Sequence, residues 1–179
     1  MEPEVVNGPA HIALVGMMGC GKSTVGRELA SLAERPFIDL DLAIEARQHR
    51  SISQIFQEDG EDAFRRMEFD ALLRAVCEPP SILSTGGGTV QHPANRDLLW
   101  RSSFIVYLRA SLDCLWERVR RSRNRPLLQS PNPRHTLSTL LTAREPHYLE
   151  AHYIVNVDDA SIDDIARRIW EAYCHRHPL

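Results

Sequence analysis

Lysine is almost absent from this sequence: of its 21 Lys and Arg residues, only Lys22 is a lysine. Arginine therefore supplies nearly all of the positive charge, and the net charge of −3 gives no overall attraction to nucleic acid or to an anionic membrane. A chain that uses arginine wherever charge alone is needed has a specific reason to keep one compact ammonium group. Entry into a phosphate-binding loop is such a reason, because a planar guanidinium does not replace it there. Lys22 is therefore the first candidate functional residue.

Paired cysteines and long apolar segments are also missing. The four cysteines are widely spaced and form no C-x-x-C motif, which argues against a structural zinc site and a disulfide framework. No apolar run approaches the length that spans a bilayer, and residues 1–4 carry two acids and no arginine, unlike a targeting peptide. We expect a cytoplasmic monomer that binds neither membrane nor nucleic acid.

The length and composition fit one globular domain. A chain of 179 residues can bury about 70% of its unfolded surface, and its hydrophobic content of 43% is ordinary for a globular protein. We therefore expect a single domain over residues 1–179. Within it, residues 1–10 contain two prolines and a glycine and are predicted to form a flexible lead-in.

Residues 16–24 read G-M-M-G-C-G-K-S-T and match the phosphate-binding motif G-x-x-x-x-G-K-[ST]. They follow the apolar run 12–15 and open into the amphipathic segment 25–32, which gives the motif its required strand–loop–helix context. Glycines let backbone N–H groups approach a phosphate closely, and the start of the helix favours the same anion. Lys22 then reaches the β- and γ-phosphates, and the Ser23 hydroxyl ligates Mg²⁺. A glycine-rich turn with a solvated lysine is the weaker alternative.

Predicted strands alternate with predicted helices along the rest of the chain, which indicates an α/β fold with a parallel sheet covered on both faces. The predicted strands are residues 11–16, 37–39, 81–84, 104–108 and 153–157, of which the short strand 37–39 is expected to be buried. The main predicted helices are residues 22–34, 42–49, 61–77, 94–101, 136–151 and 161–174, with shorter ones capped by Ser51 or Ser53 and beginning at Leu112. Residues 122–135 hold three prolines and little apolar content, and we expect a mobile loop there.

Polar residues that follow the strands are site candidates, because ligands of open parallel sheets lie at the carboxyl ends of the strands. Asp39 and Asp41 follow the second strand and point to opposite sides if the chain stays extended, so one can face Mg²⁺ through water and the other an acceptor. The alternative for Asp41 is a helix N-cap. Gly86, Gly87 and Gly88 follow the third strand. Three adjacent glycines indicate either a plain turn or a close approach of another group to the backbone.

Arginine supplies two further candidates. Arg65 and Glu68 share one helix face, and on spacing alone a surface salt bridge is the better interpretation of this pair. Five arginines lie within residues 118–125 and lead into the proline-rich loop. Such a run is usually a solvated face, but in a phosphate-binding protein it indicates a lid that closes over phosphates. RNA binding is a weaker alternative, because no aromatic residues alternate with these arginines.

Taken in order, these motifs resemble those of the shikimate kinase family. The resemblance rests on the phosphate loop, D-L-D at 39–41, G-E-D-A-F-R-R-M-E at 60–68, G-G-G at 86–88, R-P-L-L at 125–128 and R-E-P-H-Y at 144–148. It runs from about residue 11 to residue 170 with family-like spacing. The phosphate loop alone is shared by many families, and the other elements together make the match specific.

The resemblance implies a three-layer P-loop NTPase fold of the nucleoside-monophosphate-kinase type. In that fold five parallel strands follow the order 2-3-1-4-5, with a substrate-binding region at about residues 40–77 and a lid at about residues 119–135. The resemblance further implies transfer of the ATP γ-phosphoryl group to the 3-hydroxyl of shikimate, with Mg²⁺, in chorismate and aromatic amino acid biosynthesis.

The resemblance also implies a role for each motif residue. The residues implied to contact the nucleotide are Gly19, Cys20, Gly21, Lys22, Ser23, Thr24 and Arg118, with Arg118 stacking on adenine. Ser23 and Asp39 serve the metal ion. Acceptor contacts fall to Asp41, Arg65, Gly86, Gly87, Gly88 and Arg144, with Glu68 orienting the arginines. The catalytic residues are Lys22, Asp41 and Arg125, of which Arg125 reaches the transferring phosphoryl group from the lid.

Three residues depart from the family pattern. Cys20 stands where Ala or Ser is usual, Leu40 where Thr or Ser is usual, and His49 where a glycine normally ends the helix. Without glycine's left-handed freedom, the turn at His49 is in question. Cys20 admits two interpretations: a reactive thiol beside Lys22 that bound nucleotide protects, or a small buried side chain that stays inert.

Three other functions compete with this interpretation. A gluconate kinase of similar fold would share the loop and the lid, but it would not need Arg65 and Arg144 in the motif context in which they stand here. An enzyme acting on a shikimate analogue would share these residues as well. A non-catalytic nucleotide-binding homologue would not need Lys22, Asp41 and Arg125 together.

Overall fold

A computed structural model describes residues 11–120, 128 and 130–177 of the chain. Its five strands form one parallel sheet in the order β2-β3-β1-β4-β5. The strands are β1 (His11–Val15), β2 (Phe37–Asp39), β3 (Ile82–Ser84), β4 (Ser103–Arg109) and β5 (Tyr153–Asn156). The predicted α/β class and strand order are therefore confirmed.

Eight α-helices connect and follow these strands within the described residues. They are α1 (Lys22–Ala33), α2 (Leu40–Gln48), α3 (Ile52–Glu58), α4 (Gly60–Ala75), α5 (Pro93–Ser102), α6 (Leu112–Val119), α7 (Pro133–Tyr148) and α8 (Ile162–Arg176). The connection from β1 to β2 crosses the sheet in one direction, and the later connections cross it in the other. Because such crossovers are right-handed, α1 lies on one face and α4, α5 and α7 on the opposite face. The last helix, α8, packs against α1, which completes the three layers.

The sheet is buried where the sequence is most apolar. Residues 12–15 of β1 are at most 1% exposed, and β4 is buried over 103–108. Strand β2 was predicted to be buried, and this is wrong: all three of its residues are half-buried. The reason is its place at the edge of the sheet, where one side has no neighbouring strand.

Two helices begin two or three residues earlier than the periodicity predicts. Helix α2 begins at Leu40 because the Asp39 side chain accepts hydrogen bonds from the backbone of Asp41 and Leu42. Helix α7 begins at Pro133, with Asn132 as its N-cap, because proline fits the first turn of a helix without losing a hydrogen bond. Of the two predicted caps for α3, the structure uses Ser51, in a capping box with Gln54.

The turn after α2 forms without glycine. His49 adopts the left-handed conformation, with φ 52° and ψ 29°, at a cost of about 1–2 kcal/mol for a residue that carries a Cβ atom. Its neighbour Arg50 is bonded to Glu58 at 2.7 Å and to Asp59 at 2.6 Å, which ties the turn to the end of α3. The family-like turn is therefore kept with an unusual residue.

The predicted lid lies between α6 and α7. Its residues 121–127 and 129, including Arg125, lie outside the described part of the chain. The division into a lid, a substrate-binding region and a lead-in therefore stays a prediction. No helix in the described part of the chain is long and apolar enough to cross a membrane.

Candidate active site

The phosphate loop leaves the carboxyl end of β1 and enters α1. Gly16 has φ 143°, and a Cβ atom there would lie 2.8 Å from the backbone oxygen of Leu108, so no other residue fits. Gly21 is the N-cap of α1, with φ 99° and no side-chain capping hydrogen bond. The first amides of α1 therefore keep their donors directed into the loop, which is the arrangement that binds phosphate.

Lys22 is folded back onto its own loop. Its side chain is largely buried, and Nζ donates to the backbone oxygens of Gly16 at 2.8 Å and Met17 at 3.1 Å. Nζ also lies 3.8 Å from Sγ of Cys20. Only 1% of Cys20 is exposed, so the structure favours the inert of the two interpretations of this thiol.

Ser23 and Asp39 come from different elements and meet beside the loop. The Ser23 hydroxyl donates to Asp39 Oδ2 at 2.6 Å, while Asp39 Oδ1 accepts from the backbone of Asp41 at 3.1 Å and caps α2. The alternative that Asp41 caps this helix is wrong, because Asp39 holds that position and Asp41 lies within the first turn. No three His, Cys, Asp or Glu side chains cluster tightly enough to hold a metal among the residues described. Magnesium does not need such a cage, since one or two protein ligands, phosphates and water complete its shell.

The three adjacent glycines are approached closely by charged side chains. A Cβ atom at Gly86 would lie 2.9 Å from Glu68 Oε1 and 3.0 Å from Asp41 Oδ1. At Gly88 it would lie 2.7 Å from both terminal nitrogens of Arg65. A plain turn needs no such contacts, so close approach is the better interpretation of this sequence.

Arg65 and Glu68 do not form a surface pair. Glu68 is 1% exposed, and its Oε2 accepts from Arg65 Nη1 at 3.0 Å. The second terminal nitrogen of Arg65 donates to Glu61 at 2.9 Å. Burial alone would lower the pKa of Arg65, but Glu68 and Glu61 outweigh it and raise this pKa, so the guanidinium stays charged. The surface salt bridge favoured by spacing alone is wrong, because α4 turns this face toward the interior.

Arg144 on α7 approaches the same glycine turn at Gly87, next to the Gly88 position that Arg65 approaches. It is 6% exposed, and its Nη1 has no hydrogen-bond partner among the described residues. A Cβ atom at Gly87 would lie 3.4 Å from this nitrogen. One helical turn later, the hydroxyl of Tyr148 donates to the Gly87 oxygen at 2.5 Å, and burial raises the pKa of Tyr148, which keeps this donor protonated. A buried cation with an unused donor has the chemistry that binds an anion.

A cleft of about 660 Å³ runs along the phosphate loop and reaches the glycine turn at Gly87. Its polar wall includes the phosphate loop, Asp39, Asp41 and Gly87, and its far wall is the apolar segment that contains Val157, Ala160, Ile162 and Ile165. Arg118 lies between them and donates to the backbone oxygens of Gly19 and Cys20 at 3.4 Å and of Val157 at 3.3 Å. The cleft therefore offers a phosphate-binding end and an apolar end, as a nucleotide requires.

The sequence-predicted residues lie either along this cleft or around the adjoining glycine turn, with one exception, Arg125, which lies outside the described residues. Two contacts were missed by sequence reasoning. Tyr148 holds Gly87, and its spacing of four from Arg144 was the available signal. Thr89 donates to Glu68 at 2.7 Å. Its place directly after the three glycines was visible, but nothing in the pattern indicated its partner.

The chain is similar in sequence to the shikimate kinases. A family model described as shikimate kinase matches residues 18–174. A shikimate kinase from Cereibacter sphaeroides is 43% identical over 165 residues, which cover 92% of this chain and 83% of that protein. A shikimate kinase from Halorhodospira halophila is 46% identical over 165 residues, covering 92% of this chain and 93% of that protein.

A similar solved structure is that of a shikimate kinase from Acinetobacter baumannii in complex with shikimate. It superposes with a TM-score of 0.92 at 37% sequence identity, and the match covers 97% of each chain. The likeness therefore extends over the strands, the phosphate loop and the helices that carry the arginines of the site.

Proposed function

This chain belongs to the shikimate kinase family, and we propose that it transfers the γ-phosphoryl group of ATP to the 3-hydroxyl of shikimate in the biosynthesis of chorismate and aromatic amino acids. One observation carries the proposal. Gly87 separates the two halves of the site: a Cβ atom there would lie 3.3 Å from the Met18 amide of the phosphate loop and 3.4 Å from Arg144 Nη1. An anion held by Arg144 is therefore adjacent to a phosphate held by the loop.

The phosphate side binds ATP through the backbone of residues 19–24 and through Lys22. When nucleotide binds, Nζ of Lys22 exchanges its contacts with the Gly16 and Met17 oxygens for contacts with the β- and γ-phosphates. Arg118 stacks on adenine, and the apolar wall of the cleft covers the other face of the base. With adenine at Arg118 and the phosphates at Lys22, the γ-phosphate would lie on the side of the loop that adjoins Gly87.

Ser23 and Asp39 have the donor chemistry that a magnesium ion requires. Their oxygens lie 2.6 Å apart at the edge of the cleft, and both are hard ligands. A bound Mg²⁺ would neutralise charge on the phosphates during transfer. Ser23 would ligate the ion, and Asp39, which also caps α2, would hold its water.

The acceptor side binds shikimate through its carboxylate and its hydroxyls. Arg144 and Arg65 grip the carboxylate, since a planar guanidinium matches a carboxylate with two parallel hydrogen bonds. The backbone of residues 86–88 contacts the ring. Asp41, whose Oδ1 faces Gly86, holds the hydroxyl that attacks the γ-phosphate.

Catalysis then depends on position and on charge, because phosphoryl transfer asks for little covalent chemistry from the protein. Asp41 orients the attacking oxygen in line with the γ-phosphate, and Lys22 neutralises the charge that develops there. Arg125 adds a second cation from the lid, and closure of the lid excludes water as a competing acceptor. That the enzyme is a cytoplasmic monomer stays a prediction.

Release of ADP with parallel acceptors tests the proposal. Purified protein is incubated with MgATP and shikimate, gluconate or a nucleoside monophosphate, with the Lys22→Ala variant as the control for contaminating kinases. We expect shikimate to support turnover far better than the other two. Turnover with gluconate but not shikimate would overturn the assignment of the acceptor, and slow ADP release independent of any acceptor would favour a non-catalytic homologue.

A further inference from the structure

Thr89 is a buried hydroxyl directly behind the acceptor site. It follows Gly88 and begins a single 3₁₀ turn over Thr89–Gln91. Its side chain is fully buried, and its Oγ1 donates to Glu68 Oε1 at 2.7 Å. A hydrogen bond to a buried carboxylate is worth more than one between neutral groups, because the charge has lost its contact with water.

Glu68 uses its two oxygens for two different partners. Oε1 accepts from Thr89, and Oε2 accepts from Arg65. Because each oxygen is engaged on a different side, the carboxylate is fixed in rotation as well as in place. Loss of the Thr89 donor would leave Oε1 buried without this partner, and the carboxylate would turn toward other donors.

Arg65 depends on that orientation. Its other partner, Glu61, is more than half exposed, so that contact is screened by water and holds the guanidinium weakly. The contact with buried Glu68 is the stronger one, and it holds both terminal nitrogens of Arg65 close to Gly88. If Glu68 turns, the remaining pull on Arg65 is outward, away from the acceptor.

Thr89 itself is held rigidly by its backbone. Its N–H donates to the Gly86 oxygen at 3.2 Å, and its carbonyl accepts from Nδ2 of the fully buried Asn95 at 2.9 Å. The hydroxyl therefore has a fixed origin on the glycine turn, from which it can position a side chain of α4.

We propose that Thr89 is a positioning residue, which acts through Glu68 to hold Arg65 in the orientation that binds the acceptor carboxylate. The inference rests on the proposed function, since it assigns the acceptor carboxylate to Arg65. It adds a residue outside the family motifs to the residues that determine acceptor affinity.

The test compares Thr89→Val, which keeps the shape and loses the donor, with Thr89→Ser, which keeps the donor. In Thr89→Val we expect KM for shikimate to rise about tenfold or more, in line with loss of a hydrogen bond to a charged group. KM for ATP should not change, and Thr89→Ser should restore KM for shikimate to within about threefold of wild type. An unchanged KM for shikimate in Thr89→Val would overturn the inference.

Thr85→Val is the matched control. Thr85 is also buried, but its hydroxyl donates to the backbone oxygen of Leu14 at 2.9 Å rather than to a carboxylate. Its loss should lower Tm without the rise in KM for shikimate. An equal rise in both valine variants would mean a general disturbance of the turn and would overturn a specific role for Thr89.

A readout without substrate separates this inference from the proposed function. In ¹⁵N-labelled protein, the guanidinium N–H signals of Arg65 should exchange with water faster in Thr89→Val than in wild type, and Thr89→Ser should resemble wild type. If wild type releases no ADP with shikimate, the proposed function fails, while the Arg65 signals still decide whether Thr89 positions this side chain. Identical Arg65 signals in all three proteins would overturn the inference.

Discussion

Lys22 on the phosphate side and Arg144 on the acceptor side are both buried cations, but their hydrogen bonds are satisfied in opposite ways. On the phosphate side, Lys22 Nζ donates twice within its own loop, and the Ser23 hydroxyl is engaged by Asp39. On the acceptor side, Arg144 Nη1 is buried without a hydrogen-bond partner among the described residues. Phosphate binding at Lys22 must therefore exchange existing hydrogen bonds, whereas an anion at Arg144 satisfies a donor that is already buried and in place.

This difference separates the energetic roles of the two halves. An exchanged hydrogen bond adds little to ground-state affinity, so Lys22 contributes mainly where charge develops in the transition state. A buried unsatisfied donor carries a desolvation cost that its ligand removes, so Arg144 contributes mainly to acceptor binding. Substitutions on the phosphate side should change kcat most, and substitutions on the acceptor side should change KM for shikimate most.

The largest expected effect is that of Lys22→Ala. We expect kcat to fall by about 10²–10³-fold or more, because one positioned charge in a water-excluded site is lost. Since the partners of Lys22 are loop oxygens rather than core side chains, Tm should change little. Arg167→Ala, which removes an exposed cation bonded to Asp164, is the control and should leave kcat unchanged. If Lys22→Ala keeps the wild-type kcat, the phosphate side does not determine kcat and the proposed difference between the two halves is wrong.

The next effect concerns the acceptor arginines. Arg144→Lys and Arg65→Lys should each raise KM for shikimate by about 10–100-fold, because a point charge does not reproduce a bidentate fork and a charge-assisted hydrogen bond is lost. KM for ATP should change by much less in both variants. Steady-state kinetics with each substrate varied in turn provide the measurement. A raised KM for ATP with an unchanged KM for shikimate would reverse the assignment of the two halves.

A smaller effect tests whether the phosphate loop keeps Cys20 inaccessible when Lys22 is folded back onto it. Cys20 is buried beneath Lys22, whereas Cys77 is exposed. In nucleotide-free protein treated briefly with iodoacetamide, peptide mapping should therefore find Cys77 alkylated first and Cys20 last. If Cys20 instead reacts first and MgADP protects it, the loop opens far more readily than its internal hydrogen bonds indicate.

The smallest effect concerns the scaffold that carries both halves. His11 at the start of β1 accepts from the Ser81 amide through Nδ1 at 3.2 Å, and its Nε2 contacts the Val76 oxygen at 3.3 Å. Burial lowers the pKa of His11, with a smaller lowering by the charge of Arg35 and a partial opposition by the Val76 contact. Its neutral form therefore contributes stability that is complete above the ordinary pKa of 6.5 and is lost as the pH falls through the lowered value.

Thermal unfolding measured from pH 8 to pH 5 tests this contribution. Tm of wild type should fall by about 2–4 °C more over this range than Tm of His11→Leu, which has no charge to gain. His175→Gln, a change at an exposed histidine, should keep the wild-type slope. Parallel slopes for wild type and His11→Leu would mean that this histidine does not limit stability in acid.

The sequence predicts the parts of this protein whose physics is local. The phosphate loop, the alternation of strands with helices and a serine cap for α3, at Ser51 or Ser53, depend on neighbouring residues, and the structure agrees with each. The position of Glu68 was misjudged because burial depends on which face of α4 meets the glycine turn, and those segments are distant in sequence. The same holds for β2, whose half-buried state follows from its place at the sheet edge, and for the Thr89 contact with Glu68.

The carboxylate of the acceptor provides the most direct test of the central claim, that Arg144 and Arg65 bind it beside the phosphate loop. kcat/KM is measured for shikimate and for its methyl ester, with wild type and with Arg144→Leu. Wild type should prefer shikimate by about 10²-fold, the value of one or two charge-assisted hydrogen bonds. In Arg144→Leu this preference should fall to less than about tenfold, because the side chain that distinguishes the acid from the ester is then missing. An undiminished preference in the variant would contradict the account, since the carboxylate would then be bound elsewhere.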